Sequence, residues 1–494
     1  MAFSDLADGG ADRSLSLLGG TIMDTCQSAE VGFQAGPPKI NSPGGLPTMS
    51  HQTEAAALFD SGALYGRRTL LRPDVGDPIF IGFKPGAFSI YFGDAPIFHF
   101  DREGRWQRAF IDGVHYLKGL DAQVQTIDRV REGENLVLKR KTRSAAEVGD
   151  TDALVRALAL DLIDGLDAGR FEPLAPPAKG RPPTTAELRA FLERIASWDA
   201  FAWSEHRALY LATYGLPPFL PPDCPSPLIL QATLGHEGGV AFGGAPALEF
   251  VSHDPSAFER HARQVAVLLG ARVSQCKTVF LGGPDVLRRP FGDLIAYLET
   301  AGRVFPIEAK GGRRHPDPTE ETPHTLLGIH AFLDRFGPPL PSSDGWRRCR
   351  SLGLSRVCLG VESGAPSVRA LYAKHWRDEA FRALVSELKG AEIGVSLALL
   401  VGAGGLENEA VHVEETTALV NALELGPGDL VALLDAREVA GAGRVERPEP
   451  LAFTPLSDPR QALQRDELRT RLAPIKNDRK AKVVVYSLEK QGLA

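Results

Sequence analysis

The chain has little sulfur, with five cysteines and three methionines in 494 residues. Cys26, Cys224, Cys276, Cys349 and Cys358 are odd in number and far apart. That excludes a disulfide framework and predicts reduced thiols in a cytoplasmic setting. No apolar run reaches the roughly 18–20 residues that a membrane helix needs. No basic stretch followed by an apolar core opens the chain, so no signal peptide is expected. Positive charge is not in excess either: the formal net charge is −7, which speaks against a nucleic-acid or membrane partner. What remains is an ordinary globular composition, 43% hydrophobic and 24% charged, in a chain long enough for two or three domains.

Residues 1–50 are rich in Gly, Ser, Pro and Ala without periodicity. They are expected to be a disordered tail, or to lie ahead of a true start at Met49. An N-terminal α+β domain is expected over 51–214. Short apolar and aromatic runs at Ile79–Phe83, Phe88–Phe92 and Ile97–Phe100 predict strands, parted by Lys84-Pro85-Gly86 and Gly93-Asp94. A further run follows Trp106, and Asn135–Lys141 predicts another strand. Helical periodicity follows over 151–168 and 185–213, the second opened by the capping-box spacing Thr184…Glu187. Residues 172–183 between them read as a linker, and a second Pro-rich linker covers 215–227. The aromatic residues of this region are expected to be core.

From 228 to 440 the pattern changes. Apolar runs at 228–233, 278–281, 304–308, 356–361, 395–401 and 430–434 alternate with helical patterns at about 255–269, 287–301, 323–335 with 344–352, 376–389 and 409–424. Near-continuous apolar strands between amphipathic helices predict a parallel sheet, here a partial (β/α)6 barrel. Ligands of such folds sit at the C-terminal strand ends. Those ends carry Gly235-His236-Glu237-Gly238-Gly239, Gly282-Gly283-Pro284-Asp285, Glu308-Ala309-Lys310-Gly311, Gly360-Val361-Glu362-Ser363-Gly364, 402-GAGGLENE-409 and Asp435-Ala436-Arg437. Glycine admits close backbone approach and the carboxylates suit hydroxyls, amines or a cation, so a binding site is expected there. A C-terminal extension, 441–494, ends in a basic run and a β-rich segment that reads as an extra strand.

Three stretches, VFLGGPDVL (279–287), CRSLGLSRVCLGVESGAPSV (349–368) and AEIGVSLALLVGAGG (391–405), together resemble the radical S-adenosylmethionine (radical SAM) superfamily. The branch is that of the Elongator catalytic subunit and the oxygen-independent coproporphyrinogen oxidases. The resemblance covers about 226–440 and implies a radical-SAM-type barrel. In that family the loop after the first strand carries Cys-x3-Cys-x2-Cys, which binds a four-iron–four-sulfur cluster and, through it, S-adenosylmethionine. Here His236, Val240 and Gly243 stand at the three positions, with the aromatic Phe242 kept. Valine and glycine offer no ligand, and clusters are held by thiolates with occasional imidazole replacement. The resemblance therefore implies a degenerate member without a cluster. Its cofactor-contacting positions correspond to Gly282, Gly283, Glu362, Ser363 and Gly402, which leaves S-adenosylmethionine or a related nucleoside open as a ligand.

The leading expectation is a non-catalytic barrel that binds a small molecule or a partner protein such as an intact radical enzyme. Two alternatives stay open. One is a metal-dependent enzyme built on His236, Glu308, Glu362 and Asp435. The other is radical chemistry with atypical cluster ligation. Glu-Ser-Gly around Ser363 is not a Gly-x-Ser-x-Gly elbow, so hydrolase chemistry is not expected.

Overall fold

A computed structural model describes residues 68–73, 76–84, 87–132, 135–174, 183–214, 220–224, 226–235, 250–283, 285–308, 325–441, 453–472 and 481–487. The expectations for residues 1–50, for the 442–452 stretch and for the loop holding His236, Glu237, Val240, Phe242 and Gly243 lie outside these.

The chain first builds an antiparallel meander: β1 (Arg68–Pro73), β2 (Ile79–Lys84), β3 (Ala87–Phe92), β4 (Ile97–Asp101), β5 (Trp106–Ile111), β6 (Val114–Lys118), β7 (Val124–Glu132) and β8 (Asn135–Thr142). A ninth strand, β9 (Phe171–Leu174), returns to pair with β1 at the sheet edge. This corrects the linker reading of 172–183, whose first residues are strand. Pro173 masked the strand in the sequence, yet an edge position tolerates proline because its missing N–H faces no partner. Alternate residues of the meander, among them Ile81, Phe83, Phe88, Ile90, Phe98 and Phe100, are buried in one core. They meet Leu162 of α1 (Ala145–Asp167) and Phe191, Leu192 and Ile195 of α2 (Thr185–Ala196). Both helices open with a capping box, Ser144/Glu147 and the expected Thr184/Glu187. The long helix expected over 185–213 is two: α2 ends before Trp198, and Asp199 accepts from the Ala202 N–H as α3 (Ala200–Tyr214) begins.

The second sheet is parallel and seven-stranded, in chain order: β10 (Leu228–Gln231), β13 (Val279–Gly282), β14 (Ile329–Leu333), β15 (Leu354–Glu362), β16 (Gly394–Val401), β17 (Leu430–Asp435) and β18 (Lys482–Tyr486). A short hairpin, β11 (Thr233–Leu234) with β12 (Val251–Ser252), follows β10. The crossovers carry α4 (Pro255–Leu269), α5 (Phe291–Val304), α6 (Ser343–Ser351), α7 (Pro366–Leu371), α8 (Asp378–Gly390), α9 (Glu409–Asn421), α10 (Ala436–Gly441) and α11 (Asp458–Arg471). Parallel crossovers are right-handed, so strands laid down in chain order gather most of their helices on one face, as the expected barrel requires, while the short α7 and α10 pack on the other.

The third strand differs from expectation. Val304 ends α5, and Ile307 makes only an isolated bridge to Leu326, so 304–308 is not a sheet strand. Its place is taken by Ile329–Leu333, inside the stretch read as helix 323–335. A strand buried on both faces reads as a plain apolar run, which periodicity does not separate from a buried helix. The extra C-terminal strand is present as β18, paired parallel to β17.

The two faces of the sheet differ. Val357, Leu359 and Val361 of β15, Val395, Leu397 and Leu399 of β16, and Val431 and Leu433 of β17 join the helices in the larger core. On the opposite face Cys358, Ala398, Leu400, Ala432 and Leu434 meet Ala365, Val368, Tyr372 and Val439. The meander docks on α4. Buried Arg105 pairs with Asp101 at 2.7 Å and donates to the carbonyls of Leu268 and Leu269 at 2.8 and 2.7 Å. Those are orphan acceptors at the negative end of the helix, where a cation is favourable.

Candidate functional site

The strand ends of β14 and β15 hold a buried ionic cluster. Lys374 arrives from the turn after α7 and sets its Nζ 2.5 Å from Asp334 Oδ1, 2.5 Å from Glu362 Oε2 and 2.7 Å from the Gly360 carbonyl. Their side chains are 6%, 22% and 8% exposed for Lys374, Asp334 and Glu362, so the cluster is screened from bulk water. Two local features make room for it. The β15–β16 register slips between Gly360 and Glu362, and Glu362 sits at φ +57°, a left-handed backbone uncommon outside glycine. Gly360 leaves space above the strand: a Cβ there would lie 2.5 Å from Asp334 Oδ1 and 3.0 Å from Lys374 Nζ. Burial raises the pKa of Glu362 against the pull of Lys374. Burial alone would lower that of Lys374, but Asp334 and Glu362 outweigh it and the net shift is upward. With all three ionised the cluster bears one negative charge in excess.

Beside it, the double glycine after β13 serves a close approach. A Cβ on Gly283, at φ +101°, would fall 2.1 Å from Thr233 Oγ1 and 2.2 Å from its carbonyl. Gly282 ends β13 opposite Gln231, and its carbonyl accepts from the Ala232 N–H at 3.1 Å. Asp285 accepts from Arg335 at 2.6 Å through Oδ2, while its buried Oδ1 has no partner.

Ser363 lies one residue from Glu362 but is fully buried. His412 of α9 presents Nε2 2.9 Å from the Leu400 carbonyl and Nδ1 2.8 Å from Ser363 Oγ. A carbonyl only accepts, so Nε2 carries the proton and the Ser363 hydroxyl donates to Nδ1. Burial lowers the His412 pKa to about 4, which keeps the ring neutral. The Ala365 N–H donates to Ser363 Oγ at 3.0 Å. Ser363 thus ties the turn after β15 to α9, and its hydroxyl faces His412.

Gly402, at the end of β16, is covered by α11: its N–H donates to Gln464 Oε1 at 2.7 Å, and Gln461 donates to the Val401 carbonyl at 3.3 Å. Asp435 accepts from the Arg437 N–H at 2.8 Å as α10 begins and pairs with the Arg437 side chain. Glu308 donates its N–H to the Leu326 carbonyl at 2.8 Å. The structure thus brings Glu362 into an ionic cluster but does not gather Glu308, Glu362 and Asp435, and His236 lies outside the described residues. Among the described residues no group of three His, Cys, Asp or Glu is placed to hold a metal ion. Asp334 and Lys374 were missed in the sequence. Asp334 fell inside a stretch read as helix, and nothing in the spacing ties a lysine twelve residues past a strand end back onto that strand.

The described cysteines do not fit an iron–sulfur cluster. Cys224 precedes β10, Cys276 precedes β13, Cys349 is in α6 and Cys358 is in β15, all buried. Burial pushes each thiol up, Cys276 to about 11 and Cys349 to about 12, whereas a ligand thiol must be a thiolate.

No protein-family model and no curated protein matches the chain. Among solved structures it is similar to coproporphyrinogen III oxidase (HemN) from Escherichia coli, a radical SAM enzyme. There the identity is 14% and the TM-score 0.33, over 54% of this chain and 55% of that one. It is similar to Elp3 of the archaeon Methanocaldococcus infernus at 14% identity and TM-score 0.32, over 53% and 56%. A third is the radical SAM methyltransferase TsrM from Kitasatospora setae, with cobalamin and a 4Fe-4S cluster bound, at 11% identity and TM-score 0.30, over 52% and 54%. The chain spans about half the length of each of these proteins.

Proposed function

We propose that this chain is a radical-SAM-like protein that works without an iron–sulfur cluster and holds a small molecule of nucleoside type at the C-terminal ends of its parallel strands. A partner protein is the other occupant the sequence reading allows. The observation that carries the reading is where sulfur sits. The sequence has no cysteine between Cys224 and Cys276, the span that includes the loop after β10, and the described thiols are buried before β10, before β13, in α6 and within β15, none of them in a loop at the C-terminal strand ends. Sulfur ligands for a cluster are therefore wanting where the family resemblance requires them.

The ionic cluster supports a charged ligand in particular. Two carboxylates share one ammonium, so a cationic group such as the sulfonium or amino group of S-adenosylmethionine would balance the remaining charge at short range. Without iron to chelate its amino and carboxylate groups, such a ligand binds weakly. Calorimetric titration tests this. S-adenosylmethionine is expected to bind saturably, S-adenosylhomocysteine, which lacks the sulfonium charge, more weakly, and Glu362→Gln to weaken the first more than the second. Equal affinity for both ligands, or heat from neither, would remove the nucleoside reading.

A further inference from the structure

A second polar cluster lies at the other end of the same sheet, on the face opposite the larger core. Arg356 stands four residues before Gly360 on β15, about 13 Å away at the rise of a strand. Asp223, from the turn before β10, reaches this place with a side chain only 4% exposed. Its Oδ2 accepts from Ser396 Oγ at 2.6 Å and lies 3.5 Å from Arg356 Nε. Arg356 donates through Nη1 to Ser396 Oγ at 3.1 Å and through Nη2 to the Gly428 carbonyl at 2.6 Å. The donors of this cluster are therefore engaged. Two atoms are not: Asp223 Oδ1 and His330 Nδ1 are both buried without a hydrogen-bond partner. His330 Nδ1 is 4.0 Å from Asp223 Oδ2, too far for a direct bond.

The chemistry of the gap follows from these two atoms. Asp223 Oδ1 can only accept. The His330 ring hydrogen-bonds the Asp223 backbone, whose carbonyl only accepts, so the one N–H of the neutral ring is used there and the unpartnered Nδ1 is an acceptor. Hydroxyl hydrogens satisfy the arrangement: water donates one to the carboxylate and one to the imidazole, and a polyol does so with two neighbouring hydroxyls. Charge points the same way. The Asp223 carboxylate is offset by the Arg356 guanidinium, and burial lowers the His330 pKa to about 4, so the ring is neutral and a neutral guest fits. A metal ion is not indicated, because among the described residues no three His, Cys, Asp or Glu are placed to hold one.

We propose that Asp223 and His330 bind a hydroxyl oxygen between them, at the N-terminal end of the parallel strands. The site is independent of the strand-end reading above. The hydroxyl hydrogens belong either to a resident water, as buried polar sites commonly hold, or to a small polyol.

Nitrogen NMR of the histidine-labelled full chain tests this at pH 7, with His330→Phe identifying the resonance. The His330 Nδ1 signal is expected to be displaced from that of a bare imine by a hydrogen bond, and Asp223→Ala to shift it by removing the anchor. A saturable further shift with glycerol assigns the hydroxyl to a small polyol, and an unmoved, hydrogen-bonded signal assigns it to water. An Nδ1 that resonates as a bare imine in the unmodified protein, or a ring that is doubly protonated at pH 7, overturns the proposal. The spectrum of the unmodified protein decides the matter even if a variant fails to fold.

Discussion

At the scale of single residues, the strand-end cluster is held by Lys374 and by the space that Gly360 leaves for it. Lys374→Met would strand two carboxylates beside one another in a buried place. Breaking a buried pair typically costs about 3–5 kcal/mol, and a loss in the lower part of that range is expected here because Asp334 keeps some solvent contact. Urea unfolding at pH 7 reads it. The loss should shrink at pH 5, where Glu362, its pKa raised by burial, takes up a proton. A loss that does not depend on pH would mean that packing, and not charge, explains the residue. Gly360→Ala acts on the same cluster from the backbone. Its methyl group would force Lys374 and Asp334 aside, for a loss of about 1–3 kcal/mol by overpacking. A neutral effect in thermal unfolding would contradict the close approach described here.

At the scale of elements, most of the parallel sheet was legible. Leu228–Gln231, Val395–Val401 and Leu430–Leu434 are near-continuous apolar runs, and only the sheet interior accepts such runs as strands. The third strand was not, because Ile329-His330-Ala331-Phe332-Leu333 has no period that favours strand over helix, while Val304–Ile307 carries β-prone residues at a helix end. The site was legible in part. Glycines and Glu362 announced a strand end, but the roles of Ser363 and Gly402 depend on His412 and Gln464, which are distant in sequence and carry no motif. The joint between the two sheets was likewise hidden, since it rests on single side chains, Arg105, Glu103 and Gln107, that carry no motif. Arg105→Met should weaken it, leaving Asp101 Oδ2 and the Leu268 and Leu269 carbonyls without the guanidinium donor. We expect about 2–4 kcal/mol lower stability, as for a buried charge left unpaired, and faster amide exchange at the C-terminal end of α4. Unchanged exchange there would show that the guanidinium does not hold the helix.

At the scale of the whole molecule, four buried histidines set a response to acid. Burial lowers His206, His261, His330 and His412 to about 4 each from 6.5. Their folded pKa values are depressed below the unfolded one. The unfolded chain therefore binds more protons between these values, and stability present above pH 6.5 is lost as pH falls toward 4. Each histidine contributes at most about 1.4 kcal/mol per pH unit in that window. Replacing His412 by Phe should flatten the slope by removing one of these contributions, measured by denaturant unfolding from pH 7 to pH 4. An unchanged slope would mean that this ring is not held neutral.

The central claim, a radical-SAM-like sheet without its cluster, is tested most directly by anaerobic reconstitution of the full chain with iron and sulfide, followed by desalting and iron analysis. The account predicts a colourless protein with negligible bound iron. A brown protein that retains close to four irons per chain, as the cluster stoichiometry requires, and loses its colour on reduction would contradict it.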